Sequence, residues 1–157
     1  MRLISTISYR LECFHEPNVP RYAILSHTWS SEGEVSFADM TAHLQHHGGR
    51  DLHRNPGYPK LKRFCKVARE HGFTWCWLDG CCVDRSSCAE VAEAVACGWE
   101  YYQKAALCVA HLADVQTPLK LDRNAPCGVK FVPRWFTRGW TLQELMAPAN
   151  VQFYGAS

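Results

Sequence analysis

Trp140 and Glu144 lie four residues apart in Arg134–Ala147, a stretch that reads as a helix stopped by Pro148. That spacing puts an indole ring and a carboxylate on one helix face. A second cluster closes an apolar run, where Tyr22-Ala23-Ile24-Leu25 passes into Ser26-His27-Thr28-Trp29. An apolar half followed by a polar, aromatic half describes a buried parallel strand whose C-terminal end emerges into a crevice. Ligands collect at such ends. Ser26, His27 and Trp29 are therefore candidate binding residues, and Trp29 can stack on a ring. Asp79 and Asp84 place two carboxylates in a turn after the aromatic segment Phe73–Leu78. Arg138-Gly139 offers an anion site at a helix start. Each group has a plainer role open to it. Trp140 suits a core, Glu144 an ion pair with Arg138 or Arg134, His27 a hydrogen bond pinning the strand end, Arg138 a salt bridge. Asp79, beside Gly80, suits a turn cap.

Two other chemistries fit the pattern less well. His43, His46 and His47 are close together, but no Cys or carboxylate completes a ligand set before Gly48-Gly49, so a polar loop is expected and no metal. The nine cysteines are odd in number, contain no Cys-x-x-Cys pair, and include the adjacent Cys81-Cys82. Several sit in apolar runs and read as small buried hydrophobes of a reducing compartment. A reactive thiol at Cys81 or Cys82 would need a base that the sequence does not supply.

The elements that must position these groups follow from periodicity. The chain has 157 residues, 47% hydrophobic and 20% charged, which suits one globular domain spanning 1–157 with its core over about 22–155. A net charge of +2 is too small for a grip on nucleic acid by phosphate neutralisation. No run of about 18 apolar residues predicts a membrane span, and the N-terminus lacks a signal-peptide pattern, so a cytoplasmic protein is expected. Arg2–Phe14 reads as a strand or hairpin. Pro59–His71 predicts a helix with Leu61, Phe64, Cys65 and Ala68 inward, a basic face of Lys62, Arg63, Lys66 and Arg69 outward, and Gly72 as its C-terminal stop. Ser87-x-x-Glu90 is a capping box before a helix with Val91, Ala94, Val95, Gly98, Trp99 and Tyr102 on its apolar face. Ala106–Leu112 and Val151–Tyr154 are further strands, and 114–133 is a long loop. Strand and helix alternate, which predicts an α/β fold: an open, mainly parallel sheet flanked by helices, with the N-terminal strand or hairpin beside it.

Three segments in order resemble a known family. They are Tyr22-Ala23-Ile24-Leu25-Ser26-His27-Thr28-Trp29, then Trp77-Leu78-Asp79-Gly80-Cys81-Cys82-Val83-Asp84-Arg85-Ser86-Ser87 running on to Tyr102, then Arg134-Trp135-Phe136-Thr137-Arg138-Gly139-Trp140-Thr141-Leu142-Gln143-Glu144-Leu145-Met146-Ala147-Pro148. Together with Met1-Arg2-Leu3-Ile4 they are similar to the fungal heterokaryon incompatibility (HET) domain over essentially the whole chain. Ser30 stands where the family usually has Gly. The resemblance implies an allorecognition and cell-death role, self-association or contact with other incompatibility proteins, and a distant kinship with Toll/interleukin receptor (TIR) domains, whose sheets are flavodoxin-like.

That kinship implies chemistry. TIR enzymes that cleave NAD carry Trp-x-x-x-Glu before their fourth strand, which maps onto Trp140 and Glu144 here. Glu144 would orient the hydroxyls of the nicotinamide ribose and stabilise an oxocarbenium ion as the C–N bond breaks. Ser26, His27, Trp29 and Trp140 would line the pocket, Asp79 and Asp84 would contact a ribose, and Arg138 an anion. NAD would be a substrate and no cofactor would be required. A non-enzymatic module built on self-association through Trp135, Phe136 and the basic helix remains open, as does a small biosynthetic enzyme reusing the fold.

Overall fold

A computed structural model describes residues 1–45, 52–116 and 132–156. Leu3 and Ile4 are fully buried, which commits the first strand, β1 (Arg2–Ser5), to the sheet. It pairs antiparallel with β2 (Leu11–Cys13), so the N-terminus is a hairpin. The next strand, β3 (Tyr22–His27), is buried along its whole length. Continuous burial is what a central strand covered on both faces requires. Parallel to it on one side runs β4 (Trp75–Trp77) and on the other β5 (Leu107–His111), followed by β6 (Val151–Tyr154). The sheet order is β2-β1-β4-β3-β5-β6, and β1 meets β4 antiparallel. The four parallel strands, counted along the chain, therefore lie in the order 2-1-3-4. That is a doubly wound sheet whose winding reverses between β3 and β5.

Five helices complete the domain among the described residues: α1 (Phe37–Gln45), α2 (Tyr58–Glu70), α3 (Asp79–Cys82), α4 (Cys88–Lys104) and α5 (Trp140–Met146). Short 3-10 turns at Leu52–Arg54 and Arg134–Thr137 join them. Ser36 and Asp39 cap α1 reciprocally, Asp39 N–H donating to Ser36 Oγ at 3.1 Å and Ser36 N–H to Asp39 Oδ2 at 3.0 Å. At the far end of α2, Gly72 takes φ +81°. It donates to the Arg69 carbonyl while Phe73 N–H reaches back to Ala68, which closes the helix in a Schellman motif.

β3 shares its neighbours between two faces because strand side chains alternate. Tyr22 and Ser26 point toward α4, α5 and the Arg134–Thr137 turn: Tyr22 Oη donates to the Tyr101 carbonyl at 2.6 Å, and Trp135 Nε1 to Ser26 Oγ at 2.7 Å. Leu25 and His27 point toward α2.

Three expectations change. Arg134–Ala147 is not one helix. It breaks at Arg138, whose backbone is extended (φ −98°, ψ 135°), and Gly139, a poor helix former, sits in the break. Only Tyr102 of the predicted α4 apolar face is buried. Val95 and Trp99 stay 54% and 45% exposed because α5 has only seven residues to cover them. The capping box at Ser87 is half formed. Ser87 Oγ accepts from Glu90 N–H at 3.3 Å, but the Glu90 carboxylate takes the Asp84 N–H and a forked pair of bonds from Arg2 at 2.5 and 2.7 Å. Arg2, foremost by hydrogen bonding, pulls Glu90 down to about 2. Most of the predicted 114–133 loop lies outside the described residues.

Gly57 opens α2 where the chain passes itself closely. A Cβ there would stand 2.6 Å from Val35 N and 2.7 Å from Glu34 Cα. Both contacts are backbone, so no side chain can swing away. Gly57→Ala is expected to lower stability by about 1–3 kcal/mol, in the range of overpacked cores. Gly72→Ala should cost about 1–2 kcal/mol through its left-handed backbone alone. Urea denaturation of both variants measures the two costs.

Candidate functional site

His27 is 6% exposed and sits between two charges at the end of β3. Its Nδ1 faces Lys60 Nζ at 3.1 Å and its Nε2 faces Asp79 Oδ1 at 3.0 Å. An ammonium can only donate, so Nδ1 accepts and the ring proton sits on Nε2, pointed at Asp79. Lys60 Nζ also donates to the Thr28 carbonyl at 3.2 Å and to Glu34 Oε1 in a close ion pair. Its three protons thus meet three acceptors. Glu34, only 6% exposed, also accepts the Ser30 N–H at 2.7 Å. Asp79 accepts from Trp29 Nε1 at 3.0 Å and from Arg85 at 3.3 Å. Burial alone would raise the Asp79 pKa. The His27 hydrogen bond, helped by Gly80 N–H and Arg85, more than reverses that, and the carboxyl is held below its ordinary range. Arg85 lies 4.0 Å over the Trp29 ring. Asp84 is turned elsewhere, with Oδ1 taking the Ser86 N–H and hydroxyl at 2.9 and 2.7 Å.

Glu144 belongs to the opposite face. Ser26 donates to its Oε2 in a close hydrogen bond, and Trp135 in turn donates to Ser26. The carboxylate thus bonds to Ser26, where a surface pair with Arg134 or Arg138 was the plainer role open to it. Burial, foremost, pushes the Glu144 carboxyl up, and the Ser26 hydrogen bond only partly opposes it. The nearby Tyr102 hydroxyl is raised by burial and then by the Glu144 charge. Arg138 links the two faces by donating to the His27 carbonyl at 3.1 Å. Trp140 is 54% exposed and so is no core residue. Trp135, expected at an interface, is 1% exposed and fills the core instead, edge-on to Phe136 and Phe153.

At the winding reversal lies a cleft of about 340 Å³. Thr28–Ser31 wall it just past the end of β3, His111 and Ala113 at and past the end of β5, Gly57, Pro59, Lys60 and Arg63 at the start of α2, and Arg134 from the far side. Glu144 is not among its lining residues. The candidates therefore separate: Trp29 reaches the cleft, His27 and Asp79 brace its wall from within, Ser26 and Glu144 lie across the sheet, and Asp84 joins neither group. Lys60, Glu34, His111, Tyr102 and Trp135 are the members that motif reading missed. Only Lys60 left a signal, standing four and seven residues before the buried Phe64 and Val67.

Among the described residues no group of three or more His, Cys, Asp or Glu is placed to hold a metal. His46 and His47 lie outside them. Cys65, Cys76, Cys81, Cys82 and Cys108 are buried thiols, while Cys13 and Cys88 are exposed. Burial pushes Cys82 up to about 12 and Cys81 well above its usual value, so neither is an activated nucleophile. Cys127 is outside the described residues.

The architecture is thus an open, doubly wound α/β module with a charged network at the C-terminal end of its central strand. Residues 22–127 match the family described as heterokaryon incompatibility protein (HET). Over 140 residues, 87% of this chain, the sequence is 40% identical to the vegetative incompatibility protein HET-E-1 of Podospora anserina. The chain belongs to the heterokaryon incompatibility family. It spans only 10% of the length of that curated relative. No solved structure matches it.

Removing one partner of the Lys60–Glu34 pair leaves a buried charge uncompensated. Lys60→Met is expected to cost about 3–5 kcal/mol, and Lys60→Met with Glu34→Leu to recover much of that loss in urea melts. His111 is pushed down to about 4, by burial first and then by Lys60 and Arg63. The unfolded chain therefore binds more protons between the ordinary value of 6.5 and about 4. Stability from this group is complete above that window and is lost as pH falls through it. His111→Gln should flatten that part of a thermal-melt profile taken against pH.

Proposed function

We propose that this chain is a fungal allorecognition module whose engagement leads to cell death, and that its chemistry is cleavage of the bond joining nicotinamide to ribose in NAD. The observation that carries the chemical reading is the half-buried Glu144 carboxylate, held in place by Ser26 and through it by Trp135. Its surroundings already disfavour its charge, which a neighbouring cation would restore. As the C–N bond breaks, its electron pair leaves with nicotinamide and neutralises the pyridinium ring. Positive charge moves to the ribose, where Glu144 stabilises the oxocarbenium ion and orients the hydroxyls. Water then adds to the sugar and releases a proton to solvent. The exposed Trp140, one turn before Glu144, supplies a stacking surface at the same helix. Work in the cytoplasm with other incompatibility proteins belongs to this reading. No helix among the described residues is long and apolar enough to cross a membrane.

Purified protein at high concentration should release nicotinamide from NAD, and Glu144→Gln should lower the rate about a hundredfold or more while leaving the thermal melt intact. No release from the unaltered chain, or equal release from the variant, refutes the chemistry.

A second reading rests on two neighbouring helices that each carry exposed apolar side chains, Val95 and Trp99 on α4 and Leu142 and Met146 on α5. An apolar face of this kind suits self-association without catalysis. Light scattering over a concentration series should then show growth that Trp99→Glu abolishes. A strict monomer at high concentration counts against it.

A further inference from the structure

α5 is held more loosely than the elements on either side of it. Only Thr141 of its seven residues is buried, while Trp140, Leu142 and Met146 are more than half exposed. Its flanks are firmly placed. Before it, Trp135 fills the core and donates to Ser26. After it, the Asn150 carbonyl accepts the Cys108 N–H at 2.8 Å and the chain enters β6. Two side chains fasten α5 to the end of β3. Arg138 Nη1 donates to the His27 carbonyl at 3.1 Å, and Glu144 accepts the close bond from Ser26. Between the first fastening and the helix stands Gly139, where an added Cβ would meet nothing within 4 Å among the described residues. A helix with so little buried surface between fixed ends can open locally while the fold stays intact. An extended residue followed by an uncrowded glycine gives such a motion its hinge. The Ser26 bond also turns the Glu144 carboxylate inward against β3, whereas a sugar must reach it from outside.

We infer that α5 is a hinged strap, which swings out about Arg138–Gly139 and draws Glu144 off Ser26 to admit the nucleotide, with Arg138 as the positioning residue that latches it shut on β3. The released carboxylate is then free to bond the ribose hydroxyls. Ala149 and Asn150, both exposed, take up the change at the other end. The inference rests on the reading of Glu144 as the group that meets the ribose, but the motion itself is measured without NAD.

Amide hydrogen exchange of the whole chain, resolved by NMR, tests the strap. The amides of Glu144–Ala147 should exchange at least roughly tenfold faster than those of Phe64–Ala68, a stretch of α2 with four buried side chains. Arg138→Gln should speed exchange in α5 about fivefold, the loss of one hydrogen bond, and leave β3 and β5 unchanged. Arg138→Lys should restore most of the protection. Gly139 has φ −63° and follows an extended Arg138, so a proline fits there without moving the chain. Gly139→Pro should slow exchange in α5 about threefold by stiffening the hinge, and keep or raise the thermal melt. It should also cut nicotinamide release more than Gly139→Ala does, which a purely stabilising substitution would not. The inference is overturned if α5 exchanges as slowly as α2 in the unaltered chain, or if Arg138→Gln leaves its exchange unchanged. It is equally overturned if Gly139→Pro slows exchange yet releases nicotinamide at the unaltered rate. Should Gly139→Pro melt early, the two Arg138 variants decide. If the unaltered chain releases no nicotinamide, the Glu144 chemistry fails, and exchange alone still decides on the strap.

Discussion

Lys60 brings its ammonium to a place where its side chain is only 13% exposed, and Glu34 meets it at 6%. A charge so placed is tolerated only when its hydrogen bonds are filled. Here the acceptors are a carboxylate, an imidazole nitrogen and a main-chain carbonyl, drawn from three parts of the chain. The start of α2, the segment before α1 and the end of β3 are thereby tied together. Gly57 belongs to the same constraint, because its missing Cβ lets Glu34 and Val35 approach the helix start. From His27 the chain of bonds continues to Asp79, then to Trp29 and Arg85. The C-terminal end of the central strand is thus braced before any ligand is considered.

The same strand serves a second assembly of a different kind. Ser26 takes a proton from the Trp135 indole and gives its own to Glu144 in the hydrogen-bonding sense, as acceptor and then donor. The two assemblies have opposite electrostatic character. Asp79 is held charged by its donors, while Glu144 is pushed toward its neutral form by burial. Two carboxylates whose surroundings drive them apart are what acid–base and charge-stabilising sites have in common.

Much of this was legible in the residues. Tyr22–His27 announced a covered strand through its apolar run, α2 through its amphipathic spacing and Gly72, and β6 through four residues bounded by Pro148 and Gly155. Grouping Ser26 with His27 in one pocket overlooked the period of two that any strand imposes. Lys60 was hidden by its type: charge suggests solvent, yet its spacing from Phe64 and Val67 placed it inward. The residues left Trp140 open to a core role and Trp135 to an interface, whereas the structure buries Trp135 and exposes Trp140. The break at Arg138–Gly139 resets the helical phase, so residues before and after it no longer share a face. Glu34 and Asp79 reach His27 from distant parts of the chain, and no local pattern foretells that meeting.

The adjacency of Ser26 and His27 has an evolutionary consequence. Inserting or deleting one residue upstream in the strand would turn each of them to the other's side of the sheet. Point changes can tune one assembly while sparing the other, but length variation in this stretch would dismantle both at once. Within the lineage, the spacing of Tyr22–His27 is therefore expected to be frozen even where its apolar residues interchange.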